Sequence, residues 1–185
     1  MPAGAEILDL GAGAGRIART LVELGHPVVA VDQSAEMLAH VAGAETVVAD
    51  IETLALGRRF PVVLLASNLV NAADGEERLA FLACCARHVA PAGQVLIQRF
   101  PPGWEPRTGW RESGDLRLRL ARVERDGGLV SGAMEYALGG RRFAHAFRAR
   151  LLSDGELDAE LRAAGLERGR VLDERGEWIE ARPEK

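Results

Sequence analysis

Near the start of the chain, Asp9 is followed by glycines at 11, 13 and 15 in "ILDLGAGAGRIA", where an apolar run passes into a helical pattern. Alternate glycines strip side chains from a turn, and a bare turn lets a ligand reach the backbone. Two more acids follow in order. Asp32 in "VVAVDQS" lies about 20 residues beyond the turn, where a carboxylate can take both hydroxyls of a ribose. Asp50 in "VVADIE" precedes Ile51, a pair suited to accepting from an adenine amino group while the hydrocarbon packs on the ring. Any one of Gly13, Asp32 or Asp50 alone has a minority reading as ordinary turn or strand-end chemistry, but their order and intervals together point to one ligand.

These residues need a scaffold that brings them to one edge. The runs "EILDL", "PVVAV", "TVVAD", "FPVVLLAS" and "GQVLIQRF" alternate with helical patterns. In "AGRIARTLVEL", Ile17, Leu21 and Leu24 fall at helical spacing and Gly25 stands where a helix ends; "SAEMLAHVAG" has Ser34 as its N-cap. A short polar helix or turn follows the third run, and "GEERLAFLACCARHVA" reads as a helix ending before Pro91. Continuous β-branched runs between helices describe a parallel sheet buried on both faces, a doubly wound α/β architecture with the glycine turn at its carboxyl edge. After Phe100 the pattern changes to a Pro/Gly/Trp loop, then to three alternating runs broken by "RDGG" and "LGGR". This predicts an antiparallel β excursion over about 104–150. Helix and strand return in "SDGELDAELRAAG", where Ser153 and Glu156 form a capping box, Leu157 and Leu161 share a face and Gly165 closes the helix. "GRVLD" and "EWIEA" predict a closing hairpin around Glu174, Arg175 and Gly176. No repeat or long linker divides the chain, so residues 1–185 are expected to form a single domain.

Composition narrows the function. A formal net charge of -4 and a pI near 5.6 give no basic field, so no nucleic-acid partner is expected. The basic stretch "LRLRL" alternates strictly, as a half-buried strand with solvated arginines does. Cys84 and Cys85 are adjacent in a helical pattern, which disfavours a disulfide and suits a reducing compartment. Neither a membrane-length apolar run nor a leader pattern is present, so the expectation is a cytoplasmic protein with no membrane partner. The four histidines are scattered and "CC" is not a CxxC site, so no metal is expected.

Two families use such a glycine turn. The dinucleotide pattern GxGxxG needs a glycine at position 16, which is Arg16; an acid followed by GxGxG fits Asp9 and the glycines. With "VVAVDQSAEML", "VVADIETL", "FPVVLLASNLVN", "APAGQVLIQ" and "LLSDGELDAELRAAGLE", the chain resembles the class I S-adenosylmethionine-dependent methyltransferases over nearly its whole length. The resemblance implies a Rossmann-like methyltransferase fold, with a mostly parallel seven-stranded sheet whose last strand is antiparallel. It implies S-adenosylmethionine as cofactor, with Asp9, Gly11, Ala12, Gly13 and Gly15 around the methionine portion. Asp32 would hold the ribose, Gln33 and Met37 would flank ribose and adenine, and Asp50 with Ile51 would hold the adenine. Ser67, Asn68 and Leu69 would lie beside the sulfonium. The implied reaction is in-line methyl transfer to a small-molecule acceptor.

The sequence departs from that family twice. Only about ten residues precede Gly11, where members carry lid helices; the lid is missing, supplied by a partner such as a second copy in a homodimer, or lost with an upstream segment. "SNLVN" lacks the Pro-Pro-aromatic motif of amino-methylating DNA and protein-glutamine enzymes, which disfavours those substrates.

Acceptor contacts are expected from Asn68 and Asn71 after the fourth strand, each balanced against turn capping. His145 alternates with Phe143 and Phe147, so a sheet or core histidine is favoured over a general base. Arg99 suits an acidic acceptor group or an ion pair. Trp104, Trp110 and Tyr136 suit a pocket wall or loop packing, and Arg16 an exposed helix position or the cofactor carboxylate. The rival readings are a non-catalytic subunit that binds S-adenosylmethionine or its demethylated product, and a nicotinamide oxidoreductase. Arg16 and the lack of a Tyr-xxx-Lys pair, Lys185 being the sole lysine, disfavour the latter.

Overall fold

A computed structural model describes residues 3–184. Apolar runs of four to six residues form β1 (Ile7–Leu10), β2 (Val28–Asp32) and β4 (Phe60–Leu65), and the more exposed β3 (Glu45–Val48) forms the sheet edge. A longer β5 (Val89–Gln98) follows directly on the helix that precedes it. Between them lie α1 (Arg16–Glu23), the single-turn α2 (Ala35–Leu38) and α3 (Gly75–His88). Strands β1 to β5 pair in parallel, and every β1 residue is buried because helices cover both faces.

After β5 come β6 (Arg111–Ser113), β7 (Leu116–Asp126), β8 (Leu129–Leu138) and β9 (Arg141–Arg150). These form a separate four-stranded antiparallel sheet in chain order. The three longer strands are those the alternation predicts; β6 is a three-residue edge that pairs with β7. The chain then forms α4 (Asp154–Ala163), β10 (Leu166–Val171) and β11 (Trp178–Pro183). The hairpin joins the large sheet beside β5, completing the order β10-β11-β5-β4-β1-β2-β3 with β11 antiparallel to its neighbours.

Local signals act where expected. Ser34 accepts from Met37 N–H, although the helix it caps is one turn long rather than reaching Gly43. The segment after β3 is a turn, not a helix. Ser153 and Glu156 make the reciprocal capping box, and Leu157 and Leu161 are fully buried. Cys84 and Cys85 are free and buried in α3. Among the described residues, no helix is long and apolar enough to cross a membrane.

Candidate functional site

Three hollows meet where β1 and β4 end. The first is a small niche lined by Asp9, Gly11, Ala12, Arg16, Ile17, Ala66 and Ser67. Asp9 sits on β1 with about 1% of its surface exposed, and its Oδ2 has no hydrogen-bond partner among the described residues. Burial pushes its carboxyl up to about 7; the Arg16 guanidinium pulls it down and the Asp32 carboxylate pushes it further up. A buried oxygen without a donor is costly, and a cationic N–H group supplied by a ligand would relieve it. Arg16 is exposed yet also lines the niche, so a base and an acid face one small space.

The second hollow is a cleft of about 440 Å³ along the ends of β1, β2 and β3. Gly11, Asp32, Gln33, Asp50 and Ile51 line it, with Leu69, Glu77 and Phe81 on its far side. The glycine turn is built for close approach. Gly11 has φ +70°, and a Cβ there would lie 2.5 Å from Leu69 Cδ1; Gly15 has φ +76° and would meet Val41 Cγ2 at 2.8 Å. Asp32 holds the turn in place: its Oδ2 accepts from Gly13 N–H at 2.8 Å and its Oδ1 from Ser34 N–H at 2.9 Å. Each oxygen keeps a lone pair free for a hydroxyl. Met37 is exposed, and its Cε lies near the position a Gly13 Cβ would take.

The third hollow, of about 390 Å³, lies between the turn after β4 and the inner face of the antiparallel sheet. Ser67 and Asn68 are both left-handed, at φ 56° and 58°, ahead of a 3-10 turn at Leu69–Asn71. Two consecutive non-glycine residues in that region store strain of the kind that clusters at functional sites. They line the third hollow with Leu69, Asn71 and Trp104, while Leu120, Met134, His145 and Phe147 form its roof. Gly11 and Ser67 join the niche to its neighbours, and Leu69, Glu77 and Phe81 form a wall shared by the two larger hollows.

The sequence candidates divide on this geometry. Asn68, Trp104 and His145 line the third hollow. His145 is exposed and stacked on Tyr136, with ring centroids 5.6 Å apart, rather than buried as a core histidine. Asn71 reaches the same hollow, but its amide is committed: Nδ2 donates to Arg150 carbonyl at 2.7 Å and Oδ1 accepts from Phe100 N–H at 2.9 Å. Arg99 lies outside the hollow. It is buried, pairs with Asp154 and donates to Gly176 carbonyl, tying β5 to α4 and the closing hairpin. Tyr136 supports His145 from β8 without lining the hollow, and Trp110 stacks under Arg117 and Arg119.

Glu77, Phe81, Met134 and Phe147 were not legible as site residues in the sequence. Glu77 reads as a first-turn helix acid, Phe81 as a core position, and Met134 and Phe147 as inward strand positions. The one available signal was that Glu77 and Phe81, four apart, share a helix face.

Residues 7–93 match the family described as "Methyltransferase domain". The CcbJ methyltransferase from Streptomyces caelestis is 24% identical, with a TM-score of 0.80 over 99% of this chain and 85% of that one. The sugar N-methyltransferase KedS8 from Streptoalloteichus is 23% identical, with a TM-score of 0.78 over 100% of this chain and 82% of that one. CalS10, an amino pentose methyltransferase from Micromonospora echinaspora solved with S-adenosylmethionine bound, is 22% identical, with a TM-score of 0.78 over 97% and 84% of the two chains. Comparison with curated protein sequences finds no match. The fold is that of the class I S-adenosylmethionine-dependent methyltransferases, and residues 7–93 match the methyltransferase-domain family. The matched segment and the fold support a methyltransferase that uses S-adenosylmethionine, the donor bound in CalS10.

Proposed function

We propose that the chain methylates an amine nitrogen of a small-molecule acceptor held in the hollow between the Ser67–Asn71 turn and the antiparallel sheet. The observation that carries this reading is the shared wall of Leu69, Glu77 and Phe81: a donor cleft and a second, mostly apolar cavity open on opposite sides of the same three residues. The size of the second cavity suits a small molecule. The names of the structural relatives, a sugar N-methyltransferase and an amino pentose methyltransferase, support the amine.

In this reading Asp9 accepts from the ammonium of the donor's methionine portion, and Arg16 faces its carboxylate. Asp32 receives the ribose hydroxyls on its free lone pairs, between Gln33 and Met37. Asp50 and Ile51 hold the adenine edge and face. When bound, S-adenosylmethionine supplies a methyl already activated by the positive sulfonium. The protein's remaining work is alignment and exclusion of water. The strained Ser67 and Asn68 fix the wall beside the reacting centre, and Trp104, Met134 and Phe147 cover the acceptor with apolar surface. His145, stacked on Tyr136, stands where it can hold an acceptor hydroxyl or take the proton an amine sheds.

The test is incubation of the purified chain with S-adenosylmethionine and a panel of amino sugars, each paired with its hydroxyl counterpart. Formation of the demethylated cofactor and of methylated product is followed by mass spectrometry. Turnover of amines supports the reading. Cofactor binding with no product from any member favours a non-catalytic binding subunit.

A further inference from the structure

Glu77 stands in the first turn of α3, three residues after its N-cap Asp74. The equivalent residue of α4 is Glu156, whose carboxylate folds back to accept from the backbone and hydroxyl of its N-cap, Ser153. In α3 the N-cap bond runs only from Glu76 N–H to Asp74 Oδ1, and no reciprocal box forms. Glu77 instead lines both the donor cleft and the acceptor cavity. It makes no ion pair or side-chain hydrogen bond with the described residues.

The residue is held there firmly. Its neighbour Arg78 is buried and clamps Glu160 at 2.6 Å, while its Nη1 donates to the carbonyls of Ala72 and Ala73. This fixes the first turn of α3 against α4 and the chain leading into it. Phe81, one helical turn on, packs on the same face. The wall between the two hollows thus carries one half-buried carboxylate among apolar groups, unpaired among the described residues, while Arg111 and Arg148 line the acceptor cavity elsewhere.

We propose that Glu77 is the specificity-determining residue for the acceptor, selecting an amine over the matching alcohol by accepting a hydrogen bond from its nitrogen at the donor wall; an amine that arrives as an ammonium gives up one proton to His145 or to solvent before its lone pair attacks the methyl. This rests on the reading of the second cavity as the acceptor site. A carboxylate in a partly dry wall strengthens an N–H···O bond to a cationic or polarised nitrogen, and the Arg111 and Arg148 side chains leave room in the same cavity for an acceptor's acidic or hydroxyl groups. It therefore holds the amine against the side from which the methyl comes.

The experiment compares the parent chain with Glu77→Gln, Glu77→Asp and Glu76→Gln on the same paired amino sugars and hydroxy sugars. Turnover with S-adenosylmethionine is measured beside calorimetric affinity for the chain loaded with the demethylated cofactor. The expected result is a rise of about 10- to 100-fold in amine KM and Kd for Glu77→Gln, with kcat changed far less. Glu77→Asp recovers part of the loss, Glu76→Gln behaves as the parent, and melting temperatures confirm that each variant folds. Equal amine binding and turnover in Glu77→Gln overturns the role of Glu77 and leaves the proposed reaction standing. A parent chain that binds cofactor but neither binds nor methylates any amine overturns both.

Discussion

At the scale of single residues, Asp9 shows how a binding site is kept ready at a cost to the fold. Its carboxyl titrates near 7, against 3.8 in an exposed setting, chiefly because burial disfavours the charge. The folded chain therefore holds this proton more tightly than the unfolded chain. The resulting penalty is absent below about pH 4, grows between 4 and 7, and is complete above 7. Asp9→Asn is accordingly predicted to stabilise the cofactor-free protein at pH 8 by roughly 2–4 kcal/mol and to leave it nearly unchanged at pH 4. Denaturant unfolding at the two pH values checks this. The same substitution removes the anionic acceptor, so affinity for the demethylated cofactor should drop about tenfold or more. In the parent that affinity should fall as pH falls through 7, whereas in the variant it should be flat.

At the scale of elements, helix ends and strand ends do most of the positioning. The capping box at Ser153 fixes the start of α4, and Glu156 also pairs with Arg150 of β9 at 2.7 Å, linking the antiparallel sheet to the main layer. Hydrogen bonds from the Ser153 backbone, then from Arg150 and the Ser153 hydroxyl, pull the Glu156 carboxyl down to about 2. Ser153→Ala is expected to cost about 1 kcal/mol, a fall of roughly 2–4 °C in Tm by calorimetry, without changing cofactor affinity. Such devices were legible in the sequence because they are local: the cap, the acid three residues on and the glycine turn all lie within a few positions. Asn71 and Arg99 were not. The first is defined by Arg150 and Phe100, the second by Asp154 and Gly176. Nothing near either residue in the chain announces those partners. Glu77 escaped for the opposite reason, since its local setting offered a sufficient explanation as a helix-dipole acid.

For the whole molecule, donor and acceptor are divided between two layers. The large sheet presents the glycine turn, Asp32 and Asp50 along one edge, while the antiparallel sheet roofs only the acceptor cavity. This division was foreseeable from the break in pattern after Phe100, but the pairing of specific roof residues with the Ser67–Asn71 turn depends on how the sheets dock. One consequence is separability. Trp104, whose ring lies 4.7 Å from that of Phe100, lines the acceptor cavity and not the donor cleft. Trp104→Ala is expected to raise acceptor KM about tenfold or more while leaving cofactor Kd within about twofold, as steady-state kinetics and calorimetry would show.

In the proposed reading the glycine turn and the acid at the end of β2 form one donor site. Calorimetric titration of the chain and of Asp32→Ala with S-adenosylmethionine, its demethylated product and NAD tests this most directly. The first two are expected to bind the parent with affinity on the order of micromolar, NAD is expected not to bind, and the variant is expected to lose both. Binding of NAD in their place, or undiminished binding by Asp32→Ala, would contradict it.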